Sequence, residues 1–110
     1  TKALDSILVA LNADKASLLL FNKQRVMKFV AWKNLSEEYR KATEGHSPWN
    51  SDTKNAEPIL VENVKDDTRL KSLLPAILNE GISSLAFIPL VNQGILIGKF
   101  MIYYNSPHLF

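Results

Sequence analysis

The chain has 110 residues, 46% of them hydrophobic and 22% charged, with a formal net charge of +2. These proportions fit one folded domain and exclude a disordered tail, a collagen-like chain and a coiled-coil rod. The charge is too small to argue for nucleic acid or an anionic membrane, and its mild basic excess sits in residues 1–55, with nine Lys/Arg against six Asp/Glu.

Leu4, Ile7, Leu8 and Leu11 recur at helical spacing and predict an amphipathic helix over 2–13. The apolar run Ala16–Phe21, the turn residues Asn22-Lys23 and the run Arg25–Trp32 read as an antiparallel hairpin. Strict alternation would put Val26, Lys28, Val30 and Trp32 on one face of its second strand, and Met27, Phe29 and Ala31 on the other. Charges on both sides of Val26 mark that strand as a sheet edge. Ser36 is a helix N-cap, with Glu37 and Glu38 at the positive end of the helix dipole. Ser47-Pro48 repeats that start signal and predicts a second short helix carrying Trp49. Residues 43–57 are the most polar stretch and are expected to form a mobile flap.

Ile59–Val61 is a short strand, and Asp66-Asp67-Thr68 a turn. Leu70, Leu73, Leu74, Ile77 and Leu78 form a helical stripe; Pro75 is accommodated if Ser72 is the cap. Gly81 should end this helix in a left-handed conformation. Ser84–Val91 and Ile95–Tyr104, joined by Asn92-Gln93-Gly94, read as a hairpin of two strands that are apolar on both faces and therefore central. The order predicts an α+β fold: a central antiparallel sheet with helices on both faces.

Cysteine is absent, which removes disulfides, thiolate metal sites and cysteine nucleophiles. The longest apolar run, Leu85–Val91, is far below the ~20 residues needed to span a bilayer, so no direct membrane contact is expected. The chain opens on Thr1 and is read as a piece of a longer protein. His46 and His108 lack a second ligand pair and read as solvated histidines, with axial haem ligation by His46 as the rival. Glu37-Glu38 and Asp66-Asp67 sit at helix starts rather than facing each other as acid/base pairs. Lys23, Arg25 and Lys28 read as a solvated strand edge rather than a nucleic-acid patch.

Several stretches, in this order, resemble those of a GAF domain. They are Ala16–Asn22 with Arg25–Trp32, Leu35-Ser36-Glu37-Glu38-Tyr39-Arg40, Glu57–Val64 followed by Asp66-Asp67-Thr68-Arg69, Gly81–Leu90, and Gly94–Tyr104. Pro107–Phe110 resembles the exit into a signalling helix. The resemblance spans residues 1–110 as a single domain and implies a GAF/PAS-like fold and a non-catalytic sensory or regulatory module. The expected parent is a cytoplasmic or membrane-anchored sensor histidine kinase acting as a homodimer. Such modules bind a small molecule between the sheet and the helices of one face. Without cysteine, a covalently attached bilin of the phytochrome kind is not expected, and the ligand stays unidentified.

In the resembled fold Trp32, Tyr39, Trp49 and Arg69 would surround the pocket, and aromatic walls with one guanidinium suit a small planar or anionic ligand. The alternative is that the tryptophans fill core and Arg69 pairs with a carboxylate to hold its loop. Ser84 and Ala86 share a strand face and would leave room for a ligand or admit a neighbouring helix. The rival function is a ligand-free dimerisation or spacer module, in a cyclic-di-nucleotide enzyme or transcription activator, with Trp32 and Trp49 filling the pocket.

Overall fold

Five antiparallel strands order the chain in the computed structural model, which describes residues 2–110. They are β1 (Lys15–Phe21), β2 (Met27–Lys33), β3 (Ile59–Val61), β4 (Ser84–Asn92) and β5 (Ile95–Tyr104), arranged β2-β1-β5-β4-β3. The apolar strands β4 and β5 are interior, and β2 is an edge, as their residue patterns require. Asn22 makes the first turn: its Oδ1 accepts hydrogen bonds from the Gln24 and Val26 amides at 2.9 and 3.0 Å. Arg25 takes φ 61° there, so Arg25-Val26 belong to the turn and β2 starts only at Met27.

Two bulges reset which side chains face which side. In β2, Leu18 pairs with Ala31 and Leu19 with Phe29, leaving Val30 as the extra residue. The alternation predicted for β2 therefore fails beyond Phe29. Met27 and Phe29 pack into the larger core cluster, Ala31 packs into the smaller one, and Trp32 lies opposite Ser17. In β5, Leu90 pairs with Gly98 and Val91 with Leu96, so Ile97 is extra. That bulge puts Leu96 and, three residues later, Lys99 on the same face as Met101 and Tyr103.

Each face buries its own core. Helix α1 (Lys2–Leu11) covers one, packing Leu4, Ile7 and Leu8 against Ala16, Ala86, Ile102 and Tyr104. It stops two residues short of the predicted end, where Asn12 takes φ 52°. On the other face helices α2 (Glu37–Thr43) and α3 (Leu74–Asn79), with two 3₁₀ turns at Val64–Asp66 and Thr68–Leu70, close over Leu19, Val61, Leu85, Phe87, Met101 and Tyr103.

The start of α2 is as predicted: Ser36 Oγ accepts from the Tyr39 amide at 3.0 Å. Glu80, far away in sequence, adds a second clamp, its carboxylate accepting from the Ser36 amide and hydroxyl at 2.7 Å each. Ser36→Ala is therefore expected to cost about 1–2 kcal/mol in urea unfolding, since it removes the cap and one of Glu80's donors. For α3, the expected cap at Ser72 does not form. Leu73 stands at that position with no side-chain bond, because Pro75 in the first turn already lacks the amide a cap would serve. Gly81 takes φ +82°, and the Gly81 and Ile82 amides bond the Leu78 and Ile77 carbonyls, closing the helix as expected. No helix forms over Pro107–Phe110; His108 instead stacks on Tyr104 at 3.7 Å.

Candidate functional site

Beyond α2 the chain crosses the sheet as an irregular strap before entering β3. The helix predicted at Ser47-Pro48 is absent; the Ser47 hydroxyl accepts from the Trp49 amide at 3.2 Å, and Asn50 Oδ1 from the Asp52 amide at 2.9 Å. These local side-chain bonds compete with helix formation at the same backbone groups. The strap covers the free edge of β2: the Gly45 amide donates to the Met27 carbonyl at 3.0 Å, and Glu44 accepts from the Phe29 amide at 3.3 Å. Lys28 pairs with Glu44 at 3.2 Å and Arg25 with Asp52 at 2.9 Å. The Lys28 hydrogen bond holds the Glu44 carboxyl below its usual range. Two cations of the small basic cluster thus have acidic partners on the strap.

Between strap, sheet and α3 lies a cavity of about 360 Å³. Its walls include Leu19, Phe29, Leu85, Phe87 and Met101 from the sheet, Tyr39 and Thr43 from α2, His46–Trp49 from the strap, and Asp67 and Arg69 from the loop before α3. The volume is at the small end of the roughly 300–1,000 Å³ typical of ligand sites.

The sequence-nominated residues divide. Tyr39, Trp49 and Arg69 line this cavity; Trp32, Ser84 and Ala86 do not. Trp49 is 8% exposed and meets the Phe87 ring edge-on at 6.4 Å. Trp32 is 40% exposed at the sheet edge, with the Arg40 guanidinium 3.9 Å over its ring. Ala86 is buried under α1 on the opposite face of the sheet. Ser84 donates to the Glu62 carbonyl at 2.6 Å and accepts from the His108 amide at 2.9 Å, so its small side chain admits backbone rather than a ligand.

No family model and no curated protein matches this chain, whereas solved structures do. A domain assigned to a two-component sensor histidine kinase from Sinorhizobium meliloti 1021 is 51% identical, matching 99% of this chain and 73% of its own at a TM-score of 0.91. GAF3 from Slr1393 of Synechocystis sp. PCC6803 matches 99% and 77% at 0.75 with 16% identity. The NreA protein of Staphylococcus aureus, mutated in its nitrate binding site, matches 100% and 86% at 0.77, also with 16% identity. The chain is a GAF domain.

Two charged groups of this GAF domain differ sharply in setting. Arg69 is 58% exposed at its side chain and forks onto Asp67, its Nε bonding Asp67 Oδ1 at 3.0 Å. That pairing lowers the Asp67 carboxyl and raises the Arg69 guanidinium, so the pair stays ionised and holds its own loop. Lys99 is only 6% exposed, in the middle of β5 between Leu19 of β1 and Pro89 of β4. Its Nζ donates to the His46 carbonyl at 2.9 Å and lies 5.2 Å from the Phe87 ring centre. Burial pushes its ammonium down to about 8. The phenols nearby remain neutral: burial raises Tyr39 to about 12 and pushes Tyr103 well above its ordinary value, with Tyr103 bonded to the buried Ser17 hydroxyl at 2.8 Å.

Sequence reasoning fixed on Arg69 and passed over Lys99. The available signal was a lysine amid Ile95–Tyr104, a strand otherwise apolar on both faces, where a charge has no solvated side to occupy.

Among the described residues no helix is long and apolar enough to cross a membrane, and no group of His, Cys, Asp or Glu side chains is placed to hold a metal ion.

Proposed function

We propose that this GAF domain is the sensory input of a sensor histidine kinase, taking a small molecule into the cavity under the strap. The observation that carries the reading is the cleft beside Trp49: the indole packs against Phe87 and leaves about 360 Å³ unfilled. A ligand-free spacer calls for a filled face instead. The 51% identical domain assigned to a sensor histidine kinase supports the parent, and the mutated nitrate binding site of NreA supports ligand recognition on this fold.

Relay is a population shift. A ligand that favours one arrangement of the strap acts on β5 through Lys99, and the next residue, Phe100, packs on the α1 side of the sheet. From there the terminal segments would pass the change to the partner subunit of a cytoplasmic homodimer and to the kinase domain. The domain itself is read as non-catalytic.

Intrinsic fluorescence tests the site directly, because the two tryptophans report different places. A compound that raises the melting temperature should change Trp49 emission; the change should survive Trp32→Phe and vanish in Trp49→Phe. Saturation at ~100 times the dissociation constant adds about 2.7 kcal/mol to stability. A stabilising compound whose signal is indifferent to Trp49→Phe would place binding elsewhere. In the parent kinase, identical autophosphorylation with and without that compound would sink the relay.

A further inference from the structure

Lys99 is a buried cation that the described residues leave without an anion. The Nζ has three donors, and the described residues give it one hydrogen-bond acceptor, the neutral His46 carbonyl. Asp67, the carboxylate in the cavity wall, is engaged by Arg69 through both oxygens. Neither Glu44 nor Asp52 of the strap lines the cavity, and each pairs with a different cation, Lys28 and Arg25. A strap could be pinned through His46 by any neutral donor, without the desolvation that an ammonium suffers on burial. The sheet side of the cavity is apolar, with Leu19, Phe29, Leu85, Phe87 and Met101, while Thr43, Ser47, Asp67 and Arg69 supply polar groups on its other walls.

We infer that the ligand of this cavity is a small organic carboxylate with an apolar, ring-sized body, its charge paired with Lys99 Nζ and its body against Phe87 and Trp49. The inference rests on the cavity being a ligand site and adds to it the sign of the charge and the residue that reads it. A carboxylate accepts from the two donors that the His46 carbonyl does not use, so the strap's bond to β5 persists when the ligand is bound. Charge-assisted bonds are stronger than neutral ones, and a neutral ligand of equal shape would leave the ammonium unpaired. The geometry thus sets specificity by charge first and by shape second.

Matched probes separate the two layers. The chain would be titrated with acetate, 3-methylbutanoate, benzoate and 1-naphthoate, each beside its primary amide, by NMR chemical-shift perturbation with the Lys99 side-chain resonances in view. The expected result is that at least one ring-bearing carboxylate binds about tenfold tighter than its amide, a difference that one charge-assisted bond supplies. Acetate should bind more weakly than that carboxylate, and the Lys99 resonances should move on saturation. In Lys99→Met the carboxylate should lose its advantage over its amide.

Amides that match or exceed their carboxylates in the wild-type chain would overturn the charge assignment and leave the cavity reading standing. A carboxylate preference that persists in Lys99→Met would move the anion to another cation. If no probe of either kind binds at millimolar concentration, the cavity takes no guest of this size and both readings fall. The wild-type comparison needs no variant, so the test survives even if Lys99→Met folds poorly.

Discussion

Replacement of Gly98 by alanine is expected to cost more than about 3 kcal/mol and to leave little folded protein at 37 °C. A Cβ at this position would lie 2.1 Å from the Leu19 carbonyl oxygen, 2.8 Å from Leu20 Cδ2 and 3.0 Å from Leu20 Cα. Two of those three atoms are backbone of β1, which pairs with β5 in register at Leu20 and Gly98. Backbone cannot swing aside as a side-chain tip can, so the ladder between the two strands would have to open. The site adjoins the bulge at Ile97, where β5 already departs from regular pairing. Gly94→Ala is the control. It has φ +78° but nothing within 4 Å of the added carbon, so only left-handed strain of about 1–2 kcal/mol is expected. Urea unfolding of both variants checks the contrast; a Gly98→Ala protein as stable as Gly94→Ala would show that β1 and β5 yield easily.

Lys99→Met should have the opposite sign and make the domain more stable at pH 7. Depressing the ammonium from 10.5 to about 8 corresponds to a burial cost of about 3 kcal/mol, which the bond to the His46 carbonyl reduces. A gain of about 1–3 kcal/mol is expected, or several degrees in melting temperature for a domain of this size. The pH dependence identifies the cause. Below pH 8 both folded and unfolded chains hold the proton, and the full cost is present. Between pH 8 and 10.5 the unfolded chain holds a proton that the folded domain has released, so wild-type stability rises across that window relative to Lys99→Met. The buried tyrosines titrate in both proteins and cancel in the difference. Urea unfolding of the pair at several pH values checks this. A variant less stable than wild type at pH 7, with a gap independent of pH, would mean that Lys99 contributes by packing and not through its charge. If Lys99 reads a ligand as proposed, its cost to the empty domain is the pattern expected where function and folding compete.

Much of the fold follows from local chemistry that does not depend on distant residues. Ser36 caps α2 because its hydroxyl reaches an amide three residues away, and Gly81 ends α3 because only glycine enters the left-handed region cheaply. The apolar run Ile95–Tyr104 has no polar side and so demands an interior strand. The failures share a cause. Ser47-Pro48 carries a start signal, but the segment gains more from docking Glu44 and Gly45 on the β2 edge and Asp52 on Arg25 of the preceding turn than from one isolated helical turn. Trp32 was nominated from the family resemblance, but its ring lies exposed at the sheet edge beneath the Arg40 guanidinium, a placement that tertiary packing decides.

By itself, then, the sequence determined the α+β class and, apart from the helix expected at Ser47-Pro48, the order of elements, because periodicity, caps and turns are short-range; the resemblance to GAF domains rested on its quoted stretches. It also supplied three of the cavity's residues, Tyr39, Trp49 and Arg69. Only the tertiary structure decided which face of the sheet each residue serves, since that depends on strand register and on two bulges. Register put Ser84 and Ala86 on the side away from the cavity. It also placed Lys99 inside it, and packing withheld any carboxylate from that lysine. Whether a charge is solvated, paired or stranded depends on residues far along the chain, here Leu19, His46 and Phe87, which meet only when the sheet has formed.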